Sequence, residues 1–255
     1  MKSKIEDEVQ YFLPVGDETI PMNELIDRVI SFHYQKNIYC VSCGKKTPKS
    51  YNQGFCYKCM INAPEAAECI IHPEKCQAHL GIGRDMEWER THHLQEHFVY
   101  LSLTSGVKVG VTRSTQIPTR WIDQGASEAI KMAATPNRYL AGLIEVNLKK
   151  HFNDKTNWRA MLQNVIKPTD LLVLKNKAYE LVNEDLRQYF NNDSEIFKLN
   201  YPVKHYPVKV KSYDFDKIPD LKMKLKGIKG QYLIFENDIV FNVRKYTGYE
   251  FKISF

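Results

Sequence analysis

The sequence predicts an α+β protein, and three observations carry that prediction. Four cysteines stand as two matching knuckles, Cys40-Val41-Ser42-Cys43-Gly44 and Cys56-Tyr57-Lys58-Cys59. An alternating stretch over residues 97–112 reads as a β-hairpin and is followed by segments of helical period. Beyond residue 196, runs of Val, Ile, Tyr and Phe alternate with turn residues and form a C-terminal β-rich segment.

Composition sets the class. Of the 255 residues, 43% are hydrophobic and 26% charged, as expected of a water-soluble globular chain. The charges at Lys2, Lys4, Glu6, Asp7 and Glu8 lead into no apolar run, and no stretch has the length to cross a bilayer. We therefore expect no signal peptide, no membrane partner and a cytoplasmic location. All six cysteines lie between Cys40 and Cys76, a clustering that fits metal binding in a reducing compartment better than disulfides. The net charge of +6 sits wholly in residues 198–255, where twelve Lys or Arg face six Asp or Glu. A basic segment rich in Tyr and Phe suits contact with DNA or RNA, or is a solvated β-surface.

In chain order, residues 11–15 read as a strand, 22–29 as a short helix and 30–34 as a strand, together an N-terminal β segment (1–35). The knuckles then place Cys40, Cys43, Cys56 and Cys59 as four soft ligands around one zinc ion, in a zinc-ribbon-like module over residues 36–80. A set of four thiolates leaves no position for water, so its role is structural. Cys69, His72, Cys76 and His79 follow at short spacings. They predict a second zinc held by both cysteines and one or both histidines; otherwise the cysteines are small buried hydrophobes. His92, His93, His97 and His151 read as surface or packing residues.

Residues 97–103 and 107–112 make the hairpin, with Thr104-Ser105-Gly106 as its turn. Pro118 opens a short helix bearing Arg120, Trp121, Ile122 and Gln124. Residues 127–133 are helical or extended. Asn137 caps a longer helix reaching about Phe152, and residues 170–190 form another within a connector spanning 166–195. Strands are expected over 227–235, 239–244 and 249–255, with turns at Asn237-Asp238 and Thr247-Gly248. Gly227-Ile228-Lys229-Gly230-Gln231 is either the tight start of a strand or a loop whose backbone meets nucleic acid.

Tyr100, Lys108, Thr112, Arg120 and Glu145 supply the parts that phosphodiester hydrolysis needs: a phenol, cations and a metal-binding carboxylate. Arg120 and Gln124 share a helix face toward one ligand, or Arg120 pairs with Asp123 across one turn. Arg138 beside the Asn137 cap either holds phosphate or is part of an ordinary helix start.

The run Phe98-Val99-Tyr100, Lys108-Val109-Gly110-Val111-Thr112, Arg120 and Glu145-Val146-Asn147-Leu148 resembles the GIY-YIG nuclease domain over residues 90–165, in the variant with Lys-Ile-Gly at the second motif. The resemblance implies a small mixed α/β domain and a metal-dependent endonuclease. Tyr100 would then orient or deprotonate water, and Gly110 would admit the substrate backbone. Arg120 would neutralise the scissile phosphate, and Glu145 would hold Mg or Mn. Lys108 stands where many members carry a second Tyr and would contact phosphate or act as a base. Thr112, Arg113, Gln124 and Arg138 would bind substrate. The whole chain is similar to a family catalogued as domain of unknown function 2797. That likeness runs through both knuckles, His72-Pro73-Glu74-Lys75-Cys76, residues 108–113, Arg120-Trp121-Ile122-Asp123-Gln124-Gly125-Ala126 and residues 227–232. The expectation is a nucleic-acid-binding, metal-dependent phosphodiesterase with structural zinc. The alternative is a non-catalytic DNA- or RNA-binding protein on a degenerate nuclease fold.

Overall fold

The computed structural model describes residues 1–152 and 157–255. Three short antiparallel strands open the chain: Lys2–Lys4 (β1), Gln10–Val15 (β2) and Glu18–Pro21 (β3). The helix expected over 22–29 shrinks to one 3₁₀ turn, Met22–Leu25. Asp27 takes a φ of 68°, outside the helical region, and the chain leaves as the strand Val29–Ile38 (β4). The knuckles follow, with Tyr57–Asn62 (α1) starting at Cys56. A series of 3₁₀ turns leads to Met86–His92 (α2), where the Asp85 carboxylate accepts from Glu87 and Trp88 N–H.

The central sheet is built from His97–Leu103 (β5), Val107–Arg113 (β6) and Glu128–Thr135 (β7), with Thr119–Asp123 (α3) between the last two. The ambiguous stretch 127–133 is thus extended. Arg138–Lys149 (α4) begins at Asn137, whose side chain accepts from Leu140 N–H at 3.0 Å. Trp158–Leu162 (α5) and Leu171–Leu181 (α6) complete the helices. The helix expected over 170–190 breaks at Val182. That residue turns extended to enter the core that α6 also faces, and a 3₁₀ turn, Glu184–Tyr189, takes over. Phe197–Lys198 (β8) adds a last strand, giving the order β6-β5-β7-β8.

Lys211–Ser212 (β9), Asp220–Lys229 (β10), Tyr232–Phe235 (β11), Ile239–Asn242 (β12) and Tyr249–Ser254 (β13) form the C-terminal sheet. Its order, β13-β4-β10-β11-β12-β9, puts the N-terminal β4 between two C-terminal strands. The single strand expected over 227–235 is instead a hairpin turning at Gly230 (φ +61°), and Asn237 and Asp238, both at positive φ, turn the next one.

The central sheet separates two cores, because side chains alternate across a strand. On one face Val99, Leu101, Leu103 and Val109 pack with Ala141, Ile144 and Leu148 of α4 and with Leu171 and Ala178 of α6. On the other, Tyr100 joins Trp121, Ile122 and the Phe-rich core of the C-terminal sheet. No helix among the described residues is long and apolar enough to cross a membrane. The turn Pro73–Lys75 lies directly on α4 at Gly142, where a Cβ would run into the Glu74 backbone. Gly142→Ala is therefore expected to destabilise the protein by about 1–3 kcal/mol. A urea-unfolding midpoint equal to wild type would contradict this packing.

Candidate functional site

Tyr100 organises the first candidate site. It pairs with Gly110 across β5 and β6, and its ring lies over that glycine: a Cβ at position 110 would sit 2.5 Å from the phenol oxygen. Since β6 is the edge strand, the phenol reaches across Gly110 to the rim of the sheet. Gln124 Nε2 donates to it at 2.7 Å, and the Arg120 guanidinium lies against the same oxygen as charge and donor. Ser102 Oγ donates to Gln124 Oε1 at 3.3 Å and fixes the amide's orientation. Burial raises the Tyr100 pKa above its ordinary value; Arg120 and Gln124 oppose the rise, and the Glu145 charge adds to it. Tyr100 is thus a neutral phenol at physiological pH, suited to orient its neighbours or donate a proton rather than take one.

Glu145 comes from α4 on the far side of the sheet, buried, with Lys149 Nζ 3.5 Å from its carboxylate. The structure places Gly110, Arg120 and Gln124 against the Tyr100 phenol, and the Glu145 charge acts on it. Lys108 and Thr112 fall on the Tyr100 face by register, paired with Ser102 and Phe98. Arg113 pairs with His97 and points to the opposite face, so it does not share the site. Arg138 Nε and Nη2 donate to the carbonyls of Cys69 and Ile70, each at 2.8 Å, so the guanidinium braces a loop, while its charge stays within electrostatic reach of Glu145 and Arg120. Asp123 is not Arg120's partner either. Gln231 Nε2 donates to it at 2.6 Å and so docks α3 on the C-terminal sheet.

Two cysteine clusters could each hold a metal ion. In the first, the sulfurs of Cys40, Cys43, Cys56 and Cys59 lie within 4.8 Å of one another. Gly44 in the left-handed conformation lets the knuckle close, with its N–H on the Cys40 carbonyl at 2.8 Å. Burial raises the Cys40 thiol, yet backbone N–H groups of Cys56, Cys43 and Ser42 outweigh it and bring the pKa down to about 6. Four thiols with one already biased to thiolate suit a closed site for an ion such as zinc. The module is fastened to the C-terminal sheet by Tyr39 N–H on the Gly248 carbonyl and by Arg244 Nε on Gln53 Oε1, each at 2.7 Å.

The second cluster corrects the sequence reading. Its third ligand is His93, with Nδ1 3.9 Å from Cys69 Sγ and 3.6 Å from Cys76 Sγ. His72 is half-exposed beside Glu74, and His79 stacks on Tyr139; neither joins the cysteines. The Cys76 thiol falls to about 4, through Cys69 first and then, against burial, through His93 and the Ala78 N–H. Glu89, one helical turn before His93 and buried, sets its carboxylate on the same Nδ1. Because it meets the same nitrogen that faces the sulfurs, that carboxylate is placed to compete for or complete the coordination of an ion there. The signal in the sequence was the Glu89/His93 spacing of four on a helix capped by Asp85. Both clusters suit zinc, so the protein should carry two zinc ions per chain by elemental analysis. Cys76→Ser or His93→Ala should reduce this to about one, whereas His72→Ala and His79→Ala should keep both. Loss of zinc in His72→Ala with retention in His93→Ala would reverse the assignment.

No curated protein and no solved structure matches the chain. Residues 27–251 match the family described as Protein of unknown function (DUF2797), a span that takes in both cysteine clusters, the Tyr100 site and nearly all of the C-terminal sheet, and the chain belongs to that family.

Proposed function

We propose that the protein binds nucleic acid and cleaves its phosphodiester backbone in a metal-dependent reaction at the Tyr100 site. The observation that carries this reading is the meeting of Tyr100, Arg120 and Gln124 at the sheet rim, within reach of the Glu145 charge. Arg120 would stabilise negative charge building on the scissile phosphate. Tyr100 would hold Arg120 and Gln124 in one orientation. Glu145 fits a divalent metal site of the one-carboxylate kind, completed by substrate phosphate and water, and the Lys149 ammonium now holds a cation's place beside it. A Mg or Mn ion there would supply Lewis acidity to the phosphate.

The charge around the site supports a polyanionic substrate. Arg244 is close enough to Arg120 for their charges to act on each other. It also lines, with Lys245, Ser50 and Gln53, a cavity of about 330 Å³ between the first cysteine module and the C-terminal sheet. A strand laid from that cavity toward Arg120 would meet successive cations. The full burial of Tyr100 favours a second reading, in which the phenol only fastens α3 to the sheet and the protein binds nucleic acid without cutting it.

Cleavage of labelled DNA and RNA in manganese separates the two readings. On the first, Arg120→Ala lowers kcat by about 100- to 1,000-fold, and Glu145→Ala abolishes cutting, while both variants keep wild-type nucleic-acid affinity within about threefold. Wild-type protein that binds but cuts nothing with any divalent metal establishes the second.

A further inference from the structure

Away from Tyr100, a cavity of about 580 Å³ opens between the end of α5, the loop before α6 and the C-terminal sheet. Its wall holds Lys229, 1% exposed, at the end of β10. A buried ammonium is costly unless it is paired. Lys229 Nζ donates to Asn164 Oδ1 at 2.8 Å and stands 5.4 Å from the ring centres of both Tyr201 and Tyr206. Among the described residues, no carboxylate lies within ion-pair distance of it. The acid lining the cavity, Glu128, has Lys198 opposite it on the β7–β8 rung. The cavity therefore carries an uncompensated cation with two N–H donors left, and Ser127, Thr169 and Asn200 line the same space.

Each support has its own structural cause. Asn164 ends α5 in a left-handed conformation, φ +56°, and this brings its amide to the lysine. Tyr201 is pinned by its hydroxyl on the Ala126 carbonyl at 2.7 Å. Burial alone brings the Lys229 pKa down to about 8, so the amine stays mostly charged at neutral pH.

We propose that this cavity binds a phosphate monoester, its anionic head seated on the Lys229 ammonium and its body filling the space toward Ile166, Pro168 and Leu199. Lys229 supplies charge and its two remaining N–H donors, and Asn200 keeps one amide N–H beyond the one on the Asp7 carbonyl; the Ser127 and Thr169 hydroxyls already donate to the Leu103 and Lys167 carbonyls and line the space as acceptors. The volume suits a ligand of mononucleotide size. A free mononucleotide and the 5′-phosphate end of a strand present the same chemistry. The proposal does not depend on phosphodiester cleavage.

Isothermal titration of the full-length protein with inorganic phosphate, AMP and a 5′-phosphorylated oligonucleotide tests it, with the 5′-hydroxyl oligonucleotide as control. Wild type should bind AMP saturably, and Lys229→Met should weaken that binding about tenfold or more. A phosphate-dependent gain for the oligonucleotide identifies strand ends as ligands; a gain for AMP alone identifies free nucleotides. No saturable binding of any phosphate probe, or equal binding by Lys229→Met, overturns the proposal. Should that variant not fold, Asn200→Ala, at an exposed position of the cavity wall, replaces it; it should weaken AMP binding, and AMP binding equal to wild type overturns the proposal.

Discussion

The structure turns on the phenol of Tyr100 lying across Gly110. A tyrosine on a central strand would ordinarily project straight off the sheet. Here the missing side chain at position 110 lets the ring lean over the edge strand, so its oxygen reaches the sheet rim. From there it receives Gln124 and Arg120, and α3 is held in one orientation. That orientation sends Trp121 and Ile122 into the core and leaves Asp123 for Gln231, which fastens the central sheet to the C-terminal one. One residue thus decides how two layers meet and where a guanidinium points.

The cysteine clusters act at the two other junctions. The first joins the knuckle module to the C-terminal sheet at Gly248, whose carbonyl takes the Tyr39 N–H and where a Cβ would run into the Tyr39 carbonyl. The second lies beside α4. Arg138 grips the carbonyls of Cys69 and Ile70, its own N–H reaches the His93 carbonyl at 2.9 Å, and Gly142 accepts the Pro73–Lys75 turn. An ion at Cys69, Cys76 and His93 would therefore stiffen the helix that carries Glu145. The second cluster is thus packed against the helix that carries Glu145.

What was legible in the sequence was what local physics decides. The spacing within each knuckle, the Asn137 cap and the alternation over residues 97–112 all act over a few residues, and all were readable. The hairpin itself was readable because its turn is short, and that turn fixes the register that pairs Tyr100 with Gly110 in the structure. His93 was not, because the fold delivers it from a helix seventeen residues beyond Cys76, while His72 and His79 stood nearer in sequence. Arg138 looked like a phosphate ligand at a helix start; only the packed loop reveals what its guanidinium holds. The helix expected at 22–29 was undone by Asp27 at positive φ, and β4 found its partners in strands more than 180 residues away. Lys229 read as part of a glycine-flanked turn, since burial without a counter-ion cannot be read from its neighbours in sequence.

The most direct test of the central claim is single-turnover cleavage of a labelled nucleic acid by Tyr100→Phe in manganese, with affinity measured on the same samples. The ring still covers Gly110, so the variant should fold, bind nucleic acid as wild type does and keep its metal. Without the phenol oxygen, Arg120 and Gln124 lose their shared anchor, and the cleavage rate should fall by about 100-fold or more. A wild-type rate in Tyr100→Phe would contradict the claim that this phenol positions the site.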